Sequence, residues 1–287
     1  MRVWHILLIA LAVTLTAGCV QPGIKDVQAH WGEVNDQYSE LVANVDINNP
    51  LPFLPLKDVE SYVYINGIQI AHGNAIDIEK DRVVLSIKIE NQRIKDMWVS
   101  HLQHGENSEM MIKIVPVINL LVFDYRYPIE VSQQLTTNML GMGFEDQVVS
   151  VGGVDIFAFR DIRLELGKVD NLRTELVVSG TAENNAPVSI DISKIEYSIE
   201  MNGITMGKGV EEINLNLKPG EKEKVRVPIY LDNTKLPEWW VTHVKNGEKT
   251  TVKVNAKIYV SFMGAEYPIQ ISQETQFETA IASSVKI

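Results

Sequence analysis

His101 and His104 stand three residues apart in the stretch WVSHLQHGE (98–106), the spacing at which one face of a helix can offer two imidazoles to a metal ion. A metal site needs further ligands. The only cysteine is Cys19, and no cluster of aspartates or glutamates completes a set. A near copy, WVTHVKNGE (240–248), keeps His243 but has Asn246 where His104 stands. No metal is therefore expected, and His101 and His243 read as polar tips on an otherwise buried helix face. Asp77 with Glu79, or Glu211 with Glu212, could serve as a general acid and base. With 37 acidic residues in the chain, however, such pairs arise by chance and at strand edges. His30 and His72 are isolated. No GxSxG elbow, HExxH, phosphate-binding loop or GxGxxG after a strand occurs. The expectation is no catalytic residue, no cofactor and no enzyme.

Cys19 carries a different chemistry. Among the first nineteen residues Arg2 is the only formal side-chain charge, an apolar run follows over 3–13, and LTAGC closes it with small residues. This is the pattern of an export signal, residues 1–18, ending at a thiol placed for lipid attachment. The apolar run is shorter than the ~20 residues of a spanning helix. The expected location is outside the cytoplasm, on the cell membrane, held by an N-terminal lipid. With its single thiol acylated, the chain has no disulfide and no thiol nucleophile. Removing residues 1–18 takes away one of 26 basic side chains and none of 37 acidic ones, leaving 25 − 37 = −12. Residues 19–158 hold nine basic and nineteen acidic side chains (−10), and residues 159–287 hold sixteen and eighteen (−2). Such a charge argues against nucleic acid as a partner, and it sets the acidic half off from anionic headgroups.

The echo of 98–106 at 240–248 belongs to a longer self-similarity. At a shift of 135 residues Asp26, Gly32, Val34 and Leu41 fall on Asp161, Gly167, Val169 and Leu176; at 136, NGI (66–68) falls on NGI (202–204); at 140, YPI (127–129) falls on YPI (267–269). Order is kept while the shift drifts, as loops of unequal length would cause. Two units are read, 19–137 and 159–287, joined by a linker at 138–158 whose apolar residues suggest that it packs. Inside each, LSIKI (85–89), INLNL (213–217) and VKVNAKIYV (252–260) alternate with the period of a strand that has one face on a core. Asn-Gly at 66 and 202 and Pro-Gly at 219 supply turns. The expected fold class is all-β, two tandem immunoglobulin-like or fibronectin-III-like antiparallel sandwiches with one short helix each.

The helix is the exception to the alternation. Ile94, Met97, Trp98, His101 and Leu102 recur at i, i+3, i+4, i+7 and i+8, and Leu236, Trp239, Trp240, His243 and Val244 repeat the set. Asn91 and Asn233 are the expected N-caps, Pro237 suits a first turn, and Gly105 and Gly247 are placed to end the helices. Ile94, Met97, Trp98, Leu236, Trp239 and Trp240 form either the core beneath each helix or the wall of a hydrophobic groove between helix and sheet. Trp239 and Trp240 bear on the choice, because adjacent helical positions diverge by about 100°.

Taken together, LVANVDINNPLPFLPL, YVYINGIQIAHG, VVLSIKI and then the single helix resemble the water-stress and hypersensitive-response (WHy) domain, group 2 of the late-embryogenesis-abundant proteins. The second unit departs from that pattern at Asn184-Asn185-Ala186-Pro187, where the Asn-Pro corner is replaced. The resemblance implies a sandwich with one helix, no catalysis and a role in desiccation or osmotic stress. The alternative expectation is an envelope module that binds lipid or a protein through the helix–sheet groove.

Overall fold

Alternating side chains pair as antiparallel ladders along the whole described chain, and these ladders divide between two compact units. The computed structural model describes residues 23–49, 54–120, 123–141, 144–262 and 264–284. Cys19 and the signal read before it lie outside the described residues. No helix among the described residues is long and apolar enough to cross a membrane.

The first unit comprises the described residues of Met1–Arg93, Ser108–Leu135 and Ala280–Ile287. Its sheet runs in the order β1 (Gly23–Val34), β2 (Tyr38–Asn48), β5 (Arg82–Glu90), β4 (Ile68–Glu79), β3 (Leu56–Ile65), β6 (Asn107–Asn119) and β7 (Asp124–Arg126), with β8 (Ile129–Thr136) also on β6. Residues 68–74 of β4 pair with β3 and residues 71–79 with β5, so this long strand joins the two within the sheet. Val45, Ile47, Val59, Val83, Leu85 and Ile118 fill the interior.

The second unit comprises Ile94–Asn107 and Thr136–Thr279. One sheet is β14 (Lys222–Asp232), β11 (Arg173–Asn184), β10 (Val154–Val169) and β9 (Gln147–Val151). The other is β13 (Ile204–Leu217), β12 (Ile190–Met201), β15 (Lys249–Phe262) and β16 (Ala265–Glu278). Within the stretch 138–158, β9 pairs with β10 and Met139 is buried. Two helices, α1 (Ile94–Gln103) and α2 (Leu236–Lys245), belong to this unit, and a four-residue helix, α3 (Ile281–Ser284), to the first. The chain is thus an all-β protein of antiparallel sandwiches in which each half of the sequence supplies one ten-residue helix.

Local devices recur at the positions the sequence matches. Trp31 pairs with Leu41 and Val34 with Ser39 across a bulge; Leu166 pairs with Leu176 and Val169 with Thr174 across another. Beside each bulge a carboxylate takes a backbone N–H: Glu40 from Glu33 at 3.2 Å, and Glu175 from Lys168 at 3.1 Å. The Asn-Gly turns have positive φ at both residues, 48° and 79° at Asn66-Gly67 and 51° and 81° at Asn202-Gly203, the geometry of a tight hairpin that follows strand twist.

Candidate functional site

The two helices begin differently from the expectation. Asn91 and Asn233 lie in short 3-10 turns, Asn91–Arg93 and Asn233–Lys235, and the residue at the N-cap of α2 is Lys235, which makes no side-chain cap. Both asparagines are buried and face the preceding sheet. Asn91 donates to Asn35 O at 2.7 Å and accepts from Ser39 Oγ at 3.0 Å; Asn233 donates to Asp170 O at 2.6 Å and accepts from Thr174 Oγ1 at 2.9 Å. A buried amide that can satisfy donor and acceptor together is worth more there than as an exposed cap. Asp232 instead caps the second 3-10 turn, accepting from Thr234 N at 2.9 Å. Pro237 sits in the first turn of α2. Gly105 and Gly247 have φ of +66° and +70°. At Gly105 the exit is closed by Gly105 N to Leu102 O at 3.0 Å and Glu106 N to His101 O at 3.1 Å, a Schellman pair.

The aromatic face is buried. Ile94, Trp98, Leu236, Trp239 and Trp240 all lie in the core, Trp239 at 3% and Trp240 at 1% exposure, and Met97 is half-buried. Two adjacent rings can both be covered because α2 has more than one neighbour. Trp239 meets Trp98 of α1 edge-on at 5.6 Å between ring centres and also touches Phe277 at 6.2 Å, while Trp240 stands 6.3 Å from Trp239. The indole N–H groups of Trp98 and Trp239 have buried partners, Thr174 Oγ1 and Thr250 Oγ1, both at 3.0 Å.

The histidines end in hydroxyls and carboxylates. His243 Nε2 donates to Thr279 Oγ1 at 2.9 Å, since that threonine gives its own proton to Glu248 Oε2 at 2.8 Å. His243 Nδ1 therefore accepts from Thr250 Oγ1 at 2.7 Å, and the hydrogen bonds run one way from Trp239 to Glu248. Burial pushes the His243 imidazole down to a pKa of about 4, against the smaller opposing pull of Glu248. At α1 the same parts recur: His101 Nε2 lies 2.9 Å from Thr137 Oγ1, which donates to Glu106 Oε1 at 2.9 Å. Glu106 also takes the backbone N–H groups of Met139 and Leu140. Burial lowers the His101 pKa as well. Glu106 and Glu248, buried with φ near +61°, were not singled out in the sequence. Their signal was the Gly-Glu that closes both WVSHLQHGE and WVTHVKNGE.

His104 Nδ1 donates to Ser100 O at 2.7 Å. Among the described residues no three His, Cys, Asp or Glu side chains gather as a metal site would require. Asp77 and Glu79 are both exposed on β4, and neighbouring Glu211 and Glu212 project to opposite faces of β13. What the arrangement does chemically is hold protons in fixed places between helix, strand end and carboxylate, which anchors α1 and α2.

Two apolar cavities lie inside the second unit. One, of about 60 Å³, is bordered by Trp98, Leu102, Met139 and Phe277; the other, of about 100 Å³, by Phe159, Ile162, Tyr197 and Ala256. Phe144, Ile229 and Val254 border both.

Residues 180–273, from β11 into β16 and including α2, match the family model of the late embryogenesis abundant proteins, LEA_2. Among solved structures, the chain is similar to a protein from Archaeoglobus fulgidus, 31% identical over 42% of this chain and 97% of that one, with a TM-score of 0.41. It is also similar to AT1g01470 from Arabidopsis thaliana, 18% identical over 40% of this chain and 76% of that one, TM-score 0.34. A likeness to β-glucuronidase 2 of Bacteroides uniformis, at 13% identity and TM-score 0.29, spans 26% of that enzyme. No curated protein matches the chain. LEA_2 proteins are generally non-enzymatic, and the domain points to a stress-related, non-catalytic protein. The likeness to the late embryogenesis abundant family, LEA_2, thus rests on residues 180–273 of this chain.

Proposed function

We infer that the chain is a non-catalytic, lipid-anchored protein of the cell envelope in which two tandem WHy-like domains, 19–137 and 159–287, protect neighbouring molecules during desiccation or osmotic stress. The observation that carries this reading is the LEA_2 match over residues 180–273. A second copy is supported by the bulges, Asn-Gly turns and His–Thr–Glu relays that recur at matched positions in the earlier half. Anchoring at Cys19 is supported by LTAGC, and a net charge of 25 − 37 = −12 after residue 18 provides a strongly hydrated surface.

Two experiments test it. A labile enzyme is dried and rehydrated with this protein or with an equally acidic sandwich protein; equal survival of the enzyme removes the protective role. Cys19→Ala should release the chain from the membrane fraction, and unchanged membrane association removes the lipid anchor.

An alternative reading, a module that binds lipid or an envelope protein at its helix–sheet groove, is favoured by one observation. Trp98 and Leu102 of α1 border the apolar cavity of about 60 Å³.

A further inference from the structure

We propose that the space between the two sheets of the second unit is a binding slot for the terminal segment of one unbranched acyl chain. The inference deepens the binding reading above and rests on it, but it moves the ligand from the face of the helix into the sandwich.

The first observation is incomplete burial on an inward face. Ile162 and Leu164 of β10, Val178 of β11, Val254 of β15 and Ile271 of β16 border the cavities, yet all remain half-buried. In the first unit the positions matching Ile162, Val178 and Val254 are buried Val27, Ala43 and Ile112, while those matching Leu164 and Ile271, Ala29 and Val131, are half-buried as well. The two ladders align through their Asn-Gly turns, where Asn66 N bonds Glu109 O and Asn202 N bonds Thr251 O, both at 2.9 Å. Counting from there, Val254 and Ala256 stand where β6 has Ile112 and Ile114, which are 8% and 3% exposed.

A second observation explains how the space survives. Ile114 pairs with Ser61 in its ladder, whereas Ala256 pairs with Tyr197. The tyrosine ring does not simply replace the lost isoleucine, because its hydroxyl accepts from Tyr230 N at 3.1 Å and the ring lies along Gly209. Replacing a large side chain by alanine without a compensating neighbour leaves a cavity, and here it measures about 100 Å³.

Chemistry then selects the occupant. The two cavities share Phe144, Ile229 and Val254, so they adjoin as a narrow slot. No charged side chain lines either; Thr275 borders the smaller cavity, and the amides of Gln147 and Gln273 border the larger. An apolar space of about this size stays dry and takes hydrocarbon, and nothing inside could repay the dehydration of a carboxylate or ammonium group. The ligand must insert hydrocarbon alone and keep its head outside, which fits an alkyl chain.

The test titrates the full chain with dodecanoate below micellar concentrations, read by calorimetry and by the emission of the tryptophans, since Trp98 borders the slot. Dioctanoyl phosphatidylcholine, in a parallel titration, separates a membrane lipid from a free fatty acid as the source of the chain. Saturable binding of either probe at one site is expected. Ala256→Ile should weaken it at least tenfold while the melting temperature holds or rises, as cavity filling requires; Ile271→Phe, from the facing wall, should do the same. If the wild type binds but both slot variants bind equally well, the slot proposal is overturned while the helix–sheet groove reading survives. If the wild type binds neither probe, the slot falls and the lipid part of the binding reading falls with it.

Discussion

His243 Nε2 donates to Thr279 Oγ1 across 36 residues of sequence, and His101 Nε2 reaches Thr137 Oγ1 across the same 36. In both places the threonine lies 31 residues beyond the glutamate that takes its proton. Each relay ties the end of a helix to the chain leaving the next hairpin, so the two histidines act as staples.

Acid should undo the staple at His243. Its pKa falls from the ordinary 6.5 to about 4 in the folded chain, so between those values the unfolded state binds a proton that the folded state refuses. Stability is complete above about pH 6.5 and is lost as pH falls toward 4, by about 1.4 kcal/mol per unit and about 3 kcal/mol in all. Urea unfolding from pH 7 to 4 measures the slope, and His243→Gln should flatten it. A wild type equally stable at pH 7 and pH 5 would contradict this account.

Removing a partner inside the relay should cost more than its size suggests. Thr250→Val keeps shape and suits a strand, but it leaves Trp239 Nε1–H and His243 Nδ1 without the hydroxyl they share. The expected loss is about 2–3 kcal/mol, measured by denaturant unfolding; a neutral result would mean that water replaces the hydroxyl.

Trp239→Ala and Trp240→Ala should each cost about 3–5 kcal/mol, because both rings are in the core. Their rings meet at 6.3 Å, so the double variant should depart from the sum of the singles. A loss below about 1 kcal/mol for either single variant would show that its ring faces a site rather than the core.

Gly207 and Gly220 provide a paired comparison. A Cβ at Gly207 would stand 2.0 Å from Tyr230 O, whereas one at Gly220 (φ +74°) meets nothing within 4 Å. Gly220→Ala should therefore cost about 1–2 kcal/mol from its left-handed backbone alone. Gly207→Ala should cost more, since backbone must move; thermal melts of the two variants rank them.

Much of this protein is written in local pattern. Period-two alternation in LSIKI and VKVNAKIYV, the two Asn-Gly turns and the paired helical faces at 94–102 and 236–244 are each set by neighbours within a few residues. That is why the all-β class, the two short helices and the glycines that end them could be read from sequence alone. Other features depend on residues far apart. Asn91 and Asn233 carry good capping chemistry, but distant Ser39 and Thr174 draw them into the core. Glu106 and Glu248 look like solvated turn residues until Thr137 and Thr279 arrive. Whether Trp239 and Trp240 can both be buried depends on Trp98, more than a hundred residues earlier. The change from Ile114 to Ala256 is plain in the sequence, but the space it leaves exists only because Tyr230 N holds the Tyr197 hydroxyl. Sequence determines periodicity and turn chemistry because these act through adjacent covalent geometry; burial, proton placement and empty volume were decided by tertiary structure, since each depends on which distant atoms fill the remaining space.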